Sequence, residues 1–233
     1  MHNSKIFPEV MSRIAERRGA AHIYERLEPK RSALVVIDMQ NCWVMPGQPG
    51  YTPNCIDIVP NINRLAAGLR PAGGTVVWIQ MNQSAAATAS WPRFSDFFPS
   101  EAVLRRWTDA LTPGAVGYQL WKGLEVRQED LVVEKNRFSA FIQGSSHLDA
   151  ELKKRGIDTV LVTGTGTNIC CESTARDAHM LNYKVVMVSD GNACRTDAEH
   201  NATLSNLFGL FADVMTTDEV LERLKTAATA KAA

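Results

Sequence analysis

Short apolar runs rich in β-branched residues alternate along this chain with segments of helical periodicity, and this alternation constrains the fold more than any other feature. Residues 33–38 are apolar up to the last position, which is typical of a strand buried on both faces of a sheet. The same criteria predict further strands at residues 75–80, 130–135, 159–163 and 184–189 and around Val214.

Helical segments fill the intervals between these strands. Residues 56–69 place apolar side chains at helical spacing, and Pro71 with two glycines then ends the pattern. Further helices are predicted at residues 148–155, 168–181, 198–211 and 217–224. Strands and helices that alternate form right-handed crossovers and a parallel sheet. We therefore predict an α/β fold with three α/β/α layers and a Rossmann-like, mostly parallel central sheet.

Two segments depart from this pattern. The N-terminal arm, residues 1–30, is helical at residues 8–18 and is expected to contact another subunit. Residues 31–233 are predicted to form one domain, interrupted by an irregular insertion at about residues 83–123 that begins with an alanine-rich run. A long insertion of this kind is usually a lid, a pocket wall or an interface.

Charge and composition narrow the possible partners. The chain has 25 lysine and arginine residues and 25 aspartate and glutamate residues, so it has no electrostatic excess to hold nucleic acid or an anionic membrane. No apolar run reaches the length of a membrane span, and the first ten residues lack the apolar core of a secretory signal. We expect a cytoplasmic protein that acts on a small molecule, with no nucleic acid or membrane partner.

The cysteines and histidines show no metal or disulfide pattern. The five cysteines lie at positions 42, 55, 170, 171 and 194, an odd number without regular spacing, so free thiols are expected. The five histidines are well separated, and no zinc-binding motif is present. The sequence therefore predicts no metal and no cofactor.

Cys170 lies in a glycine-rich turn between a predicted strand and a predicted helix. A thiol in the first turn of a helix is close to unpaired backbone N–H groups and to the positive end of the helix dipole, which favour the thiolate. The same N–H groups can bind the oxyanion that forms when a carbonyl is attacked. The alternative is that Cys170 and Cys171 are small core residues, since free cysteine is usually buried.

Asp38 and Lys135 end two other predicted strands. Because ligands bind at the carboxyl ends of parallel strands, both side chains are candidates for the same site. A desolvated Asp38 suits a general base, and an ammonium group at Lys135 would stabilise developing negative charge. The alternatives are a turn residue at position 38 and a solvated lysine at position 135.

Three motifs, in order and with suitable spacing, resemble those of the isochorismatase-like cysteine hydrolases. They are Val-Ile-Asp-Met-Gln-Asn ending at position 41, Lys-Asn-Arg-Phe-Ser-Ala-Phe ending at position 141, and Gly-Thr-Gly-Thr-Asn-Ile-Cys-Cys-Glu-Ser-Thr-Ala-Arg-Asp-Ala ending at position 178. The resemblance runs from about residue 31 to the last helix. It implies a catalytic triad of Asp38, Lys135 and Cys170, a cis peptide at Thr165-Gly166, and an oxyanion hole formed by the N–H groups of Gly166 and Cys170. It also implies a homodimer or homotetramer.

Within this family, the motifs resemble those of the metal-free branch. Isochorismatases proper cleave a vinyl ether and lack the cysteine, whereas nicotinamidases carry histidine metal ligands after the second strand. Here that region holds Asn82 and no histidine. The chain is similar to N-carbamoylsarcosine and ureidoacrylate amidohydrolases, which implies hydrolysis of the C–N bond of a small amide, ureido or carbamoyl compound. The reaction would proceed through a thioester-type acyl-enzyme and release ammonia or an amine.

Five further residues are candidate substrate contacts, although each could equally be a packing or loop residue. They are Asn41, Trp43, Asn82, Tyr118 and Phe138.

Three other functions stay open at this level. The first is a nicotinamidase-like or other isochorismatase-family hydrolase. The second is a dinucleotide-binding protein, suggested by Gly164 and Gly166, although Ile169 occupies the position of the third glycine of that motif. The third is a non-enzymatic interaction protein that retains the fold.

Overall fold

A parallel β-sheet forms the centre of the protein. The structure is a computed structural model and describes residues 1–229. Its six strands within this range pair in the order β3-β2-β1-β4-β5-β6, and every pairing is parallel. The strands are β1 (Ser32–Ile37), β2 (Thr75–Met81), β3 (Leu131–Lys135), β4 (Thr159–Thr165), β5 (Lys184–Ala193) and β6 (Asp213–Met215). The predicted α/β fold is confirmed, and each predicted strand is present.

Nine α-helices occur in the described part of the chain. They are α1 (Pro8–Arg18), α2 (Asn41–Val44), α3 (Val59–Leu69), α4 (Ala85–Ala89), α5 (Glu101–Ala110), α6 (Leu148–Lys154), α7 (Glu172–Met180), α8 (Asp197–Leu210) and α9 (Thr217–Thr229). None of the described helices combines the length and the apolar character that a membrane crossing requires.

Two apolar clusters cover the two faces of the sheet. Val35 and Ile37 of β1 belong to the cluster that contains residues of α6, α7 and α8, whereas Leu34 and Val36 belong to the cluster that contains residues of α3 and α9. Alternate residues of a strand point to opposite faces, so β1 packs on helices on both sides. This arrangement is the three-layer architecture that the continuous apolar runs predict.

The insertion at residues 83–123 is more regular than predicted. It contains α4, a 3₁₀ turn at Pro92–Phe97, and α5, whose first turn is capped by a hydrogen bond from the Val103 N–H to Ser100 Oγ. Helices α4 and α5 were not predicted, whereas residues 111–123 form turns without a helix or a strand. The alanine run is a good helix former, and α5 has one apolar face, although none of its residues is fully buried.

The N-terminal arm packs against its own chain. Helix α1 has the predicted bounds, Ile14 is buried in the core, and the Phe7 N–H donates to Ser205 Oγ of α8 at 2.9 Å. A contact between the arm and another subunit stays a prediction. The predicted end of the domain at residue 233 lies outside the described residues.

Candidate active site

Asp38 lies where the strand order reverses, between β1 and β4, which is the usual ligand site of open α/β sheets. Its φ is 53°, and its N–H donates to the Ile79 carbonyl of β2 at 3.0 Å. A left-handed backbone costs most residues about 1–3 kcal/mol, although aspartate and asparagine tolerate it best. The turn therefore holds the Asp38 side chain, which is 1% exposed, in a fixed position.

Gly164 permits the close approach of β4 to β1 at this point. A Cβ at position 164 would lie 2.1 Å from the Ile37 carbonyl oxygen, and the φ of +116° also favours glycine. Close packing of two strands therefore accounts for the first glycine of the Gly-x-Gly pair, and no bound nucleotide is needed to explain it.

Lys135 reaches Asp38 across the end of the intervening strand β2. Its Nζ lies 2.8 Å from Asp38 Oδ2, and its side chain is 0% exposed. The same nitrogen contacts Met81 Sδ at 3.3 Å and donates to the Arg137 carbonyl at 3.1 Å. The alternative of a solvated lysine is therefore wrong, because Lys135 is a buried cation paired with a buried carboxylate.

Cys170 completes this cluster, with its Sγ 3.5 Å from Lys135 Nζ. It lies in a single π-helical turn, Thr167–Cys171, and the Thr165-Gly166 peptide before that turn is cis, as the resemblance implies. The neighbouring Cys171 is fully buried, with its Sγ 4.0 Å from the Thr163 carbonyl oxygen. The geometry thus separates the two cysteines, since Cys170 faces the charged pair and Cys171 faces the core.

All five cysteines lie within the described residues and are free, as the sequence predicts, and all five are also buried. The surroundings of Cys170, however, oppose the thiolate that its turn favours. Burial and the nearby Asp38 carboxylate raise the pKa of the Cys170 thiol well above its ordinary value, although Lys135 partly opposes this. The thiol is therefore protonated at neutral pH, because burial and the Asp38 carboxylate both disfavour the thiolate.

Burial and the neighbouring charges also shift the pKa values of Asp38 and Lys135. Burial raises the pKa of Asp38 despite the opposing effect of Lys135. Burial would lower the pKa of Lys135, but Asp38 and Cys170 more than offset it, so that pKa is raised. The Lys135 ammonium and the Cys170 thiol both contact the Asp38 carboxylate and oppose the rise in its pKa. Asp38 is therefore a carboxylate with an elevated proton affinity, close to a protonated thiol.

Gln40 is a supporting residue that the sequence analysis did not single out. Its Nε2 donates to the carbonyls of Met81 and Tyr118 at 3.1 and 2.8 Å, and its Oε1 accepts from the Met81 N–H at 2.8 Å. Gln40 is fully buried. Its place in the Asp-Met-Gln motif was a usable signal, because a buried amide beside a strand end generally holds backbone groups.

The structure separates the five predicted pocket residues into two groups. The polar groups of Asn41, Asn82 and Tyr118 are engaged within the chain: Asn41 Nδ2 donates to the Val116 carbonyl at 2.9 Å, and Asn82 and Tyr118 both donate to the Glu134 carboxylate. These bonds hold loops beside the site. A role of these three residues in substrate binding stays a prediction.

Trp43 and Phe138 belong to an aromatic array formed largely by the insertion. Adjacent rings of the array have centroids 4.8 to 6.3 Å apart. The array comprises Trp43, Trp107, Phe98, Phe94, Phe138 and Trp91. Trp43 follows Asp38 by five positions and Phe138 follows Lys135 by three, so the array begins and ends on the segments that carry the charged pair.

Comparisons with known proteins identify the family of this chain. A family model described as the isochorismatase domain matches residues 32–219. The uncharacterized isochorismatase family protein YwoC of Bacillus subtilis (strain 168) is 31% identical over 202 residues, which cover 84% of this chain and 95% of that protein.

Two solved structures are also similar. A cysteine hydrolase from Pseudomonas syringae pv. phaseolicola 1448A has a TM-score of 0.80 and 28% identity, over 88% of this chain and 98% of that chain. The N-carbamoylsarcosine amidase from Thermoplasma acidophilum has a TM-score of 0.62 and 27% identity, over 81% of this chain and 97% of that chain. The fold is that of the α/β cysteine hydrolases. The chain belongs to the isochorismatase family.

Proposed function

We propose that this protein is a cysteine-dependent amidohydrolase that cleaves the C–N bond of a small amide, ureido or carbamoyl compound. The observation that carries the proposal is the burial of Asp38, Lys135 and Cys170 in one cluster, with Lys135 Nζ 2.8 Å from the carboxylate and 3.5 Å from the thiol. A thiol, a base and a cation in contact are the components of nucleophilic acyl transfer.

Acylation begins with proton transfer from Cys170 to Asp38. The raised pKa of Asp38 makes it a better proton acceptor than an exposed aspartate, and Lys135 stabilises the thiolate that results. The transfer leaves the net charge of the cluster unchanged, because one anion replaces another beside the same ammonium group. This limits the electrostatic cost of making a thiolate in a buried site.

The thiolate then adds to the substrate carbonyl, and the oxyanion is held by the N–H groups of Gly166 and Cys170. Collapse of the tetrahedral intermediate breaks the C–N bond while Asp38 returns its proton to the leaving nitrogen. The acyl or carbamoyl group remains on Cys170 as a thioester-type intermediate. Water then gives a proton to Asp38 and adds to this carbonyl, and Cys170 leaves as a thiol after Asp38 donates the proton back.

The aromatic array and the amidase of known structure support the choice of substrate. Aromatic walls suit a small planar group with few polar atoms, and the Thermoplasma acidophilum protein of similar fold is named for a carbamoyl substrate. We infer that Trp43 and Phe138 contact the substrate. The small-molecule partner, the homodimer or homotetramer and the cytoplasmic location belong to the same proposal.

The test is ammonia release from a panel of primary amides, ureas and N-carbamoyl acids, with nicotinamide included and Cys170→Ala as the blank. Mass spectrometry of the quenched reaction should show the acyl or carbamoyl group on Cys170. Turnover that continues in Cys170→Ala would exclude the mechanism. Loss of activity in EDTA that zinc restores would favour a nicotinamidase-like metal enzyme instead.

A further inference from the structure

A chain of hydrogen bonds connects the N-terminal arm to the turn that carries Cys170. Thr167, the first residue of that turn, has its Oγ1 2.9 Å from His200 Nδ1, and both residues are fully buried. His200 Nε2 lies 3.1 Å from the Ser189 carbonyl oxygen and 3.0 Å from Ser4 Oγ. None of these groups has a part in the bond-making steps proposed above.

The partners of His200 determine where its proton lies. A carbonyl oxygen can only accept, so Nε2 carries the proton and donates towards Ser189, while the Ser4 hydroxyl donates to the same carbonyl at 3.1 Å. Burial, and then the nearby His2, lower the pKa of His200 to about 4, so the ring is neutral at pH 7. Nδ1 therefore has a free lone pair, and Thr167 must donate its hydroxyl proton to it.

His2 of the arm fixes the plane of the His200 ring. The two rings stack with centroids 4.4 Å apart and an interplanar angle of 15°. His2 Nε2 accepts the Cys194 N–H at 3.1 Å, and its Nδ1 donates to Asp197 Oδ1 at 2.7 Å. The side chain of His2 is 1% exposed.

His2, Cys194 and His200 are close enough together to suggest a metal site, since their ligand atoms lie within 4.8 Å of one another. Imidazole binds a metal through a lone pair in the plane of the ring. Two stacked rings hold their lone pairs in nearly parallel planes, and every ring nitrogen here already has a hydrogen-bond partner. The cluster is therefore suited to holding side chains in place and not to binding an ion.

The rest of the arm is held along helix α8. Asn201 donates from Nδ2 to the Asn3 carbonyl at 3.1 Å and accepts the Lys5 N–H on Oδ1 at 2.9 Å. The Phe7 N–H bonds to Ser205 on the same helix. These bonds place His2 and Ser4 against His200, which is also on α8.

We propose that Thr167 and His200 are positioning residues for Cys170, and that arm residues 2–7 are required for this role. The arm holds the His200 ring, the ring holds the Thr167 hydroxyl, and Thr167 holds the turn that places Cys170 Sγ beside Lys135. Because none of these groups meets substrate, their loss should lower kcat and leave KM nearly unchanged. The inference rests on the proposed function only in taking Cys170 as the nucleophile.

The primary test compares Thr167→Val with Thr167→Ser. Valine keeps the shape of threonine and lacks the hydroxyl, so kcat should fall about tenfold to a hundredfold, the usual cost of a misplaced reacting group. Serine keeps the hydroxyl and should restore most of that loss. Thr159→Val is the matched control, because Thr159 is a buried, hydrogen-bonded threonine at the opposite end of β4, and its kcat should match the unaltered protein.

His200 and the arm extend the test. The amide oxygen of His200→Asn can accept from Thr167, whereas His200→Leu cannot, so only the leucine variant should resemble Thr167→Val. Adding Thr167→Val to His200→Leu should cause no further loss, because both remove the same bond. Ser4→Ala removes only the hydroxyl beside His200 Nε2, so kcat should fall less than in His200→Leu.

The rate of Cys170 alkylation by iodoacetamide provides a readout that needs no substrate. It should fall in Thr167→Val and His200→Leu and recover in Thr167→Ser and His200→Asn, even if the substrate panel finds no amide that turns over. Equal kcat and equal alkylation rates in Thr167→Val and Thr167→Ser would overturn the proposal. A lower Tm with unchanged kcat and alkylation would show that the pair only stabilises the fold, and would also overturn it.

Discussion

Replacement of Asp38 by asparagine would remove the negative half of the buried ion pair and keep the rest of the site. Asparagine has nearly the shape of aspartate and also tolerates the left-handed backbone found at position 38. Lys135 would then be a cation with 0% exposure and no anion at 2.8 Å. The substitution therefore isolates the effect of one charge.

The expected loss of stability is large. Removal of one partner of a buried ion pair costs about 3–5 kcal/mol, because the remaining charge is uncompensated. For a chain of this size, each kcal/mol shifts Tm by about 2–4 °C, so Tm should fall by about 6–20 °C. Urea unfolding at pH 7 measures the loss directly.

The loss should also depend on pH, and the sign follows from Lys135. Burial lowers the pKa of Lys135, and in the variant Asp38 no longer opposes this effect. Above that lowered pKa the folded lysine is neutral, whereas the unfolded lysine still holds its proton, so folding stability rises with pH. The deficit of Asp38→Asn relative to the unaltered protein should therefore shrink between pH 7 and pH 9.

A second variant completes the cycle. Lys135→Met removes the cation, and the double variant Asp38→Asn/Lys135→Met leaves no charge buried alone, so it should be more stable than the sum of the two single losses predicts. Lys153→Met is the matched control, because Lys153 forms an ion pair of the same 2.8 Å length with Asp149 while 59% exposed. Its cost should be below about 1 kcal/mol. The buried ion pair would be refuted if the losses in the free energy of unfolding at positions 38 and 135 were additive. Losses as small as that of Lys153→Met would refute it as well.

Three further predictions concern activity. Cys170→Ser should abolish turnover while Cys171→Ser retains it, and the reverse result would assign the nucleophile to Cys171. Asp38 must be ionised to act as the base, and its pKa is raised. As the pH is lowered, kcat/KM should therefore begin to fall at a pH above the ordinary aspartate pKa of about 3.9. A fall that begins only at or below that pH would exclude Asp38 as the base. If the aromatic array binds substrate, Trp107→Ala should raise KM about tenfold, because the loss of one apolar contact has an effect of about this size. The control Phe97→Ala, at a ring that is 89% exposed, should leave KM unchanged, and equal KM values in the two variants would exclude the array.

The sequence by itself determined the order of strands and helices and the candidates for the site. Continuous apolar runs at residues 33–38 and 159–163 indicate strands that are buried on both faces of a sheet. The parallel sheet could therefore be predicted from the local sequence pattern. Residues at the ends of such runs meet at one edge, which brought Asp38 and Lys135 into consideration together. The motifs around Cys170 then indicated the family.

Other features are absent from any local pattern. The contact of His2 with His200 joins positions 198 apart in the sequence, and no spacing rule predicts it.

Only the tertiary structure decided the chemistry of the thiol. The turn at Cys170 favours a thiolate by its position at a helix start, but a pKa depends on every charge and on the water removed around the group. Burial and the Asp38 carboxylate raise the pKa of the Cys170 thiol and keep it protonated. The sequence could place a cysteine beside a strand end, whereas burial and the nearby Asp38 and Lys135 in the folded chain determined its protonation state.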